Sequence, residues 1–428
     1  MMNSFSAQEY INNLNMNGIR LGLDSTFRLL TLAGNPEKKL KFIHIAGTNG
    51  KGSVGAMLEC GFRHAGFVTG FYTSPHLISI CERFRINGVA VDEQILDEVT
   101  SQLAELSKGE SFSYFEFTTV LAMLIFVKLN VQVVIWETGL GGRLDSTNVV
   151  ESECSIITNI ALDHQSHLGN TIDSIAREKA GIIKKNKPVF YGKVSPLALV
   201  EITNKAKELG CEVFGPEFDI PETGKVLQLN NSLGQEFIYD NRNITLGLAG
   251  FMQRENFRIA HRVLKYFSKA WNFNLDQALD GLASCRWPAR LQLVNNNIII
   301  DGGHNPDGAK ALVTSLLELY GSKEKFTVIY GAFQDKDSSG CLEELSKIAQ
   351  SFVFTQITPQ GRPSRAYEEL TSLLSNDNIK TFSSNNLSEA LKLAGKLDNK
   401  ILIAGSLYLA GEALEILNLK QSCLDLTK

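Results

Sequence analysis

The chain has 428 residues, 44% of them hydrophobic and 21% charged. That is an ordinary globular composition, and at about 150 residues per domain it predicts two to three domains. Lys and Arg number 42 against 46 Asp and Glu, a formal net charge of −4, so neither a nucleic-acid footprint nor an acidic tail is present and any anionic ligand must be held locally. Seven scattered cysteines, never spaced as C-x-x-C, suggest neither a disulfide framework nor a zinc knuckle and fit a reducing cytoplasm.

The N-terminal MMNSFSAQEYINNLN lacks the basic start and apolar core of an export signal and reads as a short soluble helix. KFIHIAG predicts a strand followed by a helix from Ser53. The most apolar stretch, Thr118 to Trp136, is broken by Lys128, Asn130 and Gln132, so it divides into a helix (TTVLAMLIFVKL) and a buried strand (VQVVIW) and argues against a membrane span. ECSIITNIA and KPVFYG predict further strands, with a helix near Thr171 to Ile183 between them. From Cys211 to about Leu246 the polar, Gly- and Asn-containing pattern suits hairpins or an excursion at a sheet edge; the helix ENFRIAHRVLKYFSKA follows. CRWPARLQLVNNN marks the best domain boundary, Trp287 to Asn297. A second series then runs NIIIDGG, a helix from Pro306, FTVIYGAF, SFVFTQI, KILIAGS and LYLAGEALEIL. Alternating strands and helices predict an α/β chain with mostly parallel sheets, divided as residues 1–288, a linker at 289–296, and residues 297–428.

Four constellations carry chemistry. In Ile43 to Ser53 a strand feeds a loop with Gly47, Gly50, Lys51, Gly52 and Ser53, after which a helix opens. Glycines let successive N–H groups face one centre, and the helix N-terminus and Lys51 add positive charge, which is chemistry for nucleotide phosphates. The loop departs from G-x-x-x-x-G-K-[ST], because Ile45 stands five before Gly50 and Gly52 intervenes between Lys51 and Ser53. At the end of the next buried strand Glu137 is a metal candidate, although on position alone it could equally pair with Arg143. Asp163, His164 and His167 follow a third strand, where imidazoles can serve a metal. Lys179 lies on the apolar face of the following helix with Ile172, Ile175 and Ala176. An inward ammonium must be paired, deprotonated or chemically modified. The second domain opens with Asp301 to Gly308, where Asn305 and Pro306 suit helix capping while Asp301 and His304 remain as strand-end polar groups. Gln253, Asn256 and Arg290 offer further donors.

Taken together, GTNGKGS (47 to 53), YTSPHL (72 to 77), YFEFTT (114 to 119), ETGLGGRLDSTN (137 to 148), LDHQSHLG (162 to 169), IAREKAGI (175 to 182), WPARLQ (287 to 292) and DGGHNP (301 to 306) resemble bacterial folylpolyglutamate synthase and dihydrofolate synthase, of the Mur ligase superfamily. The resemblance implies a P-loop-type, mostly parallel sheet domain that binds ATP and a smaller Rossmann-like α/β domain. It implies that Asn49, Gly50, Lys51, Gly52 and Ser53 hold ATP phosphates, with Asn256, Arg290, Asp301 and His304 on the nucleotide. It also implies that Ser74, Glu137 and His164 ligate two Mg2+ ions, that a carbamylated Lys179 serves the same metal site, and that a monovalent cation is compatible with it. Lys51, Lys179, His164 and Glu137 become the catalytic candidates, and Tyr114, Phe115, Glu116, Leu144, Asp145 and Ser146 would line the site of the pterin-bearing substrate.

The implied activity is amide ligation: the γ-phosphoryl of ATP activates a carboxylate of dihydropteroate or a reduced folate as an acyl phosphate, and the amine of L-glutamate displaces phosphate. A cytoplasmic monomer without nucleic-acid or membrane partners is expected. Departures from the family pattern are mild: Met252-Gln253 replaces a His-Gln pair, Ala289 stands where a glycine is usual, and DGAHNP reads DGGHNP. Two other readings are a P-loop nucleotide switch without ligase chemistry and a Mur-type ligase acting on cell-wall precursors.

Overall fold

The apolar runs of the sequence become the strands of two largely parallel sheets. The computed structural model describes residues 5–14, 22–221, 224–229, 232–357, 362–374, 378–397 and 399–427. By contacts the chain divides into two compact units. One is built from the residues up to Phe218 with Asn256–Leu282 and Leu424–Thr427; the other comprises Asp219–Glu255 and Ala283–Cys423.

The first unit holds strands β1 (Phe42–Ala46), β2 (Thr69–Tyr72), β3 (Phe84–Ile86), β4 (Val89–Ala90), β5 (Val133–Glu137), β6 (Ser152–Ile157), β7 (Val189–Tyr191) and β8 (Val213–Phe214). They form an eight-stranded sheet in the order β4-β3-β2-β5-β1-β6-β7-β8. The β2-to-β8 part is parallel, and only β3, antiparallel to both β2 and β4, runs the other way. β1 and β5 are buried at every position, as central parallel strands with both faces covered must be. Such strands read as continuous apolar runs, which is why they were visible in the sequence.

The helix Tyr114–Lys128 shows why the apolar stretch is not a membrane span. Ser113 and Glu116 close a capping box at its start. The helices Ala7–Asn13, Asp24–Leu32 and Glu93–Leu106 then pack against it, so it is apolar all round because protein surrounds it. Among the described residues no helix is long and apolar enough to cross a membrane.

The second unit contains an antiparallel meander and a second sheet. The meander, β9 (Lys225–Leu229), β10 (Ser232–Tyr239) and β11 (Arg242–Leu246), accounts for the polar Cys211 to Leu246 stretch; residues 222–223 and 230–231 of that stretch lie outside the described residues. The sheet comprises β12 (Gln292–Val294), β13 (Ile298–Ile300), β14 (Phe326–Tyr330), β15 (Ala349–Thr355), β16 (Lys380–Ser384) and β17 (Lys400–Ala404), in the order β12-β13-β17-β14-β15-β16. All its pairings are parallel except β12–β13. β16, with the sequence KTFSS, is a partly exposed edge strand without an apolar run, and sequence periodicity missed it for that reason. The helix expected from Glu255 begins earlier, at Phe251, and runs to Ala270.

Within the second unit Arg254 is 0% exposed. Its guanidinium meets both carboxylate oxygens of Glu318 at 2.9 Å and donates to Gln235 Oε1 at 2.7 Å. Glu318 also accepts the Gly224 N–H at 3.0 Å, and Gln235 donates to the carbonyls of Leu248 and Gly250. This network binds the meander to the helix Pro306–Tyr320. Removing one partner leaves a buried charge, so Glu318→Ala is expected to lower unfolding stability by about 3 kcal/mol, whereas the apolar pair Arg254→Met with Glu318→Leu should cost much less. Urea unfolding of the two variants checks this.

Candidate active site

The four parallel strands β2, β5, β1 and β6 lie side by side, so their carboxyl ends share one edge. From β1 the chain moves first to β2 and β5 on one side and then to β6 on the other. The ends of β1, β5 and β6 therefore border a topological switch point, where open α/β sheets bind ligands.

At the end of β1 the glycine loop leads into the helix Lys51–His64. Its N-cap, Gly50, has φ 84°, a left-handed conformation that suits glycine. A Cβ there would also lie 2.5 Å from Asn256 Oδ1, and one at Gly47 would lie 1.9 Å from Thr158 Oγ1. The loop is sewn to the segment after β6. Thr48 N–H donates to the Asn159 carbonyl at 3.0 Å, Asn49 N–H to Asn159 Oδ1 at 2.7 Å, and Thr158 Oγ1 to the Asn49 carbonyl at 2.6 Å. Thr48 Oγ1 and the Ala161 backbone exchange two further bonds of 3.1 Å. Gly52 and Ser53 follow in the first helical turn, with Ser53 buried.

Two ammonium groups converge on one backbone oxygen. Lys51 Nζ donates to the Gly47 carbonyl at 3.1 Å and to that of Thr48 at 3.4 Å. Lys179, 3% exposed, donates to the same Gly47 oxygen at 2.9 Å from the helix Ile172–Ala180. Burial first, and then the charge of Lys51, push Lys179 down to about 7, against the opposing pull of Asp163 and Asp145. Of the three ways to tolerate an inward lysine, burial thus favours the route toward a neutral amine, with the Gly47 carbonyl as its hydrogen-bond partner.

Glu137, at the end of β5, is buried and accepts the hydroxyl of Thr73, which follows β2 and precedes Ser74. The alternative partner left open by the sequence, Arg143, instead makes a two-pronged pair with Glu178 at 3.1 and 2.9 Å. In the loop after β5, Asp145 accepts N–H groups from Leu140 at 2.7 Å and Thr147 at 3.0 Å, and the Thr147 hydroxyl. Burial raises its carboxyl, and these hydrogen bonds oppose the rise. Leu144 is half-buried and Ser146 buried beside it.

Phe115 lies over this loop, its ring 2.4 Å from where a Cβ on Gly139 would stand. Tyr114 carries the Arg83 guanidinium 5.1 Å from its ring centroid. Arg83 in turn donates to His76 Nδ1 at 2.9 Å, and burial followed by the Arg83 charge lowers His76 to about 3. Glu116 is committed to the helix start, its Oε2 accepting the Ser113 N–H at 2.7 Å.

After β6, His164 takes φ 51° and caps the short helix Gln165–Leu168. Its ring is partly exposed and 3.9 Å from Asp163. Among the described residues no group of three or more His, Cys, Asp or Glu gathers as a metal cage.

The second unit presents its own constellation. Asp301, after β13, accepts the N–H of Leu291 at 2.9 Å and of Gly303 at 2.8 Å. Burial raises its carboxyl while Arg290, next in importance, lowers it. His304 Nδ1 lies 3.1 Å from the Gly302 carbonyl, and Asn305 with Pro306 caps the following helix as expected. Ala289 has φ 56°, which explains in conformational terms why glycine is the usual residue there. The sequence reading missed Thr73, Thr158 and Asn159, whose only signal was their place just beyond strand ends.

The Mur ligase, glutamate ligase domain family matches residues 289–407. A folylpolyglutamate synthase of Lacticaseibacillus casei is 33% identical over 410 residues, 90% of this chain and 92% of that protein. A dihydrofolate synthase/folylpolyglutamate synthase of Escherichia coli is 30% identical over 420 residues, 96% of this chain and 95% of its own. Among solved structures, bifunctional folylpolyglutamate synthase/dihydrofolate synthase from Yersinia pestis complexed with AMPPNP and a Mn ion superposes with TM-score 0.81 at 28% identity, covering 97% of this chain and 98% of that one. An FPGS–AMPPCP–folate complex does so with TM-score 0.81 at 29% identity, covering 96% and 98%.

The Lys179 environment makes a signed prediction. An unfolded lysine titrates near 10.4 and the folded amine at about 7. Between those values the unfolded chain binds more protons, so stability rises with pH. In carbon-dioxide-free buffer the native chain should therefore gain unfolding free energy relative to Lys179→Met from about pH 6.5 to about pH 9. A flat difference would show a folded amine that stays charged.

Proposed function

The chain belongs to the folylpolyglutamate synthase/dihydrofolate synthase family of Mur ligases, and on that premise we propose how its residues carry out ATP-dependent addition of L-glutamate to dihydropteroate, to the γ-carboxyl of a reduced folate, or to both. The observation that carries the reading is the convergence of Lys51 and Lys179 on the Gly47 carbonyl, beside the buried Glu137. A cationic lysine, a buried amine drawn toward its neutral form and a carboxylate at one strand-end loop suit polyphosphate and metal chemistry.

A carboxylate cannot be displaced directly, because oxide would have to leave. The γ-phosphoryl of ATP is therefore transferred to the substrate carboxylate, ADP departs, and the acyl phosphate is attacked by the neutral amine of glutamate. The tetrahedral intermediate collapses with loss of phosphate and leaves an amide. In this reading the N–H groups of Gly50, Gly52 and Ser53, with Asn49 beside them, and the ammonium of Lys51 neutralise phosphoryl charge. Asn256, Arg290, Asp301 and His304 hold the nucleotide. Tyr114, Phe115, Glu116, Leu144, Asp145 and Ser146 line the pterin-bearing substrate's site. Residues 1–288 supply the phosphate side, 289–296 link, and 297–428 supply the glutamate-ligating side.

Magnesium fits the donor set, because it binds through one or two carboxylates completed by phosphate oxygens and water rather than an all-protein cage. Glu137 and Ser74 would hold one ion, and His164, with Lys179 once carbamylated, a second; bound Mg2+ supplies charge neutralisation at the phosphoryl oxygens. A monovalent cation is compatible with the same arrangement. We read the protein as a cytoplasmic monomer.

Side-by-side incorporation of labelled glutamate into dihydropteroate and tetrahydrofolate tests the reading, and incorporation into neither overturns it. Lys51→Ala is expected to lower kcat by at least about 10²–10³. Glu137→Gln should lower activity far more than thermal stability, whereas a large stability loss without metal would mark Glu137 as structural. Lys179→Ala should lose activity and regain part of it with added short carboxylates. An indifferent variant would favour a nucleotide switch.

A further inference from the structure

His44 is the one polar side chain in the central strand FIHIA, and it is 0% exposed. Its neighbour across the parallel ladder is Trp136. Both rings reach the same residue: His44 Nε2 lies 3.0 Å from Thr147 Oγ1, and Trp136 Nε1 donates to the Thr147 carbonyl at 2.9 Å. Thr147 in turn gives its hydroxyl and its N–H to Asp145 Oδ1. The hydroxyl has one proton, and it goes to the carboxylate. Thr147 Oγ1 can then only accept from the imidazole, which places the ring proton on Nε2 and leaves Nδ1 as a bare acceptor. Nδ1 is buried without a hydrogen-bond partner.

A stability role alone does not account for this arrangement. An imidazole buried with one nitrogen unpartnered costs desolvation that an aliphatic residue would avoid. What the ring contributes is direction: a fixed donor aimed at Thr147 that holds the hydroxyl toward Asp145. Trp136 is wedged between Tyr72 and Phe42, with ring centroids 4.7 and 5.2 Å away, so its donor is equally fixed. Asp145 then collects the Leu140 N–H and interacts with the Gly139 backbone, which carries the order forward along the loop toward Phe115.

We propose that His44 and Trp136 are positioning residues for the ligation: through Thr147 they orient the carboxylate of Asp145 and hold the loop Gly139–Asn148 in the form that receives the pterin-bearing substrate. This rests on the reading that Asp145 belongs to that substrate's site. The phosphate loop is held by Thr158 and Asn159 and does not depend on the clamp.

The test is steady-state kinetics of the full chain with dihydropteroate or tetrahydrofolate and, separately, with ATP varied. His44→Phe, Thr147→Val and Trp136→Phe should each raise KM for the pterin-bearing substrate about tenfold, the scale of a hydrogen bond to a charged group. KM for ATP should stay within about twofold, and Thr147→Ser, which keeps the hydroxyl, should behave as the parent. His44→Phe combined with Thr147→Val should be no worse than either alone, since both cut one relay. Thr147→Val is close to isosteric and keeps the test open if the larger His44 change misfolds. An unchanged pterin-substrate KM in Thr147→Val, an equal rise in KM for ATP, or additive effects would overturn the clamp. Asp145→Asn separates the two readings. A raised KM there with none in Thr147→Val sinks the clamp alone; an unchanged KM in Asp145→Asn removes Asp145 from the substrate site and the proposal with it.

Discussion

The carbonyl oxygen of Gly47 organises the glycine loop of this protein. It receives Lys51 from its own helix and Lys179 from a helix more than a hundred residues later in the chain. Two ammonium groups at one neutral oxygen repel each other, and the burial of Lys179 removes the water that would screen them. The arrangement shifts the burden to protonation, with Lys179 drawn toward its neutral form. A neutral buried amine is nucleophilic, which is the state that the carbamylation proposed for Lys179 requires.

That oxygen can occupy its position only because the glycine loop is pinned from the far side. Thr158 and Asn159, at the end of the adjacent strand, supply the bonds that set the loop, and the Thr158 side chain comes so close that Gly47 has no room for a Cβ. Parallel strand order explains the coincidence. β5 and β6 flank β1, so everything that follows their carboxyl ends is delivered to the same edge. Glu137 and Thr73 arrive there by the same geometry, from β5 and β2.

Much of this order was legible in the residues. Central strands such as FIHIA and VVIWE announce themselves because burial on both faces demands mostly apolar residues. The helix after Gly50 and the capped helix at Pro306 were also visible, through glycine, proline and asparagine at positions where backbone conformation requires them. Edge elements were not. KTFSS has no apolar run because one of its sides is open, and the β3–β4 hairpin is too short for its alternation to register. Beyond the strand ends, the charged residues stood out in the sequence and the hydroxyls and amides that place them did not, because threonine and asparagine near a strand end are unremarkable until their neighbours are known.

The sequence by itself determined the fold class, the glycine loop between strand and helix, the family resemblance and the inward face of Lys179, since each depends on the pattern along the chain. It left open whether Glu137 pairs with Arg143 and how a buried lysine is tolerated. Tertiary structure decided both: Glu178 takes Arg143, Thr73 takes Glu137, and the Gly47 carbonyl takes Lys179. It also showed that His44, the one polar side chain of its strand, meets Thr147 from the segment after β5. The physical reason is common to all of these. A hydrogen bond is settled by distances of about 3 Å between residues that the chain separates widely, and strand order, not local pattern, brings them together.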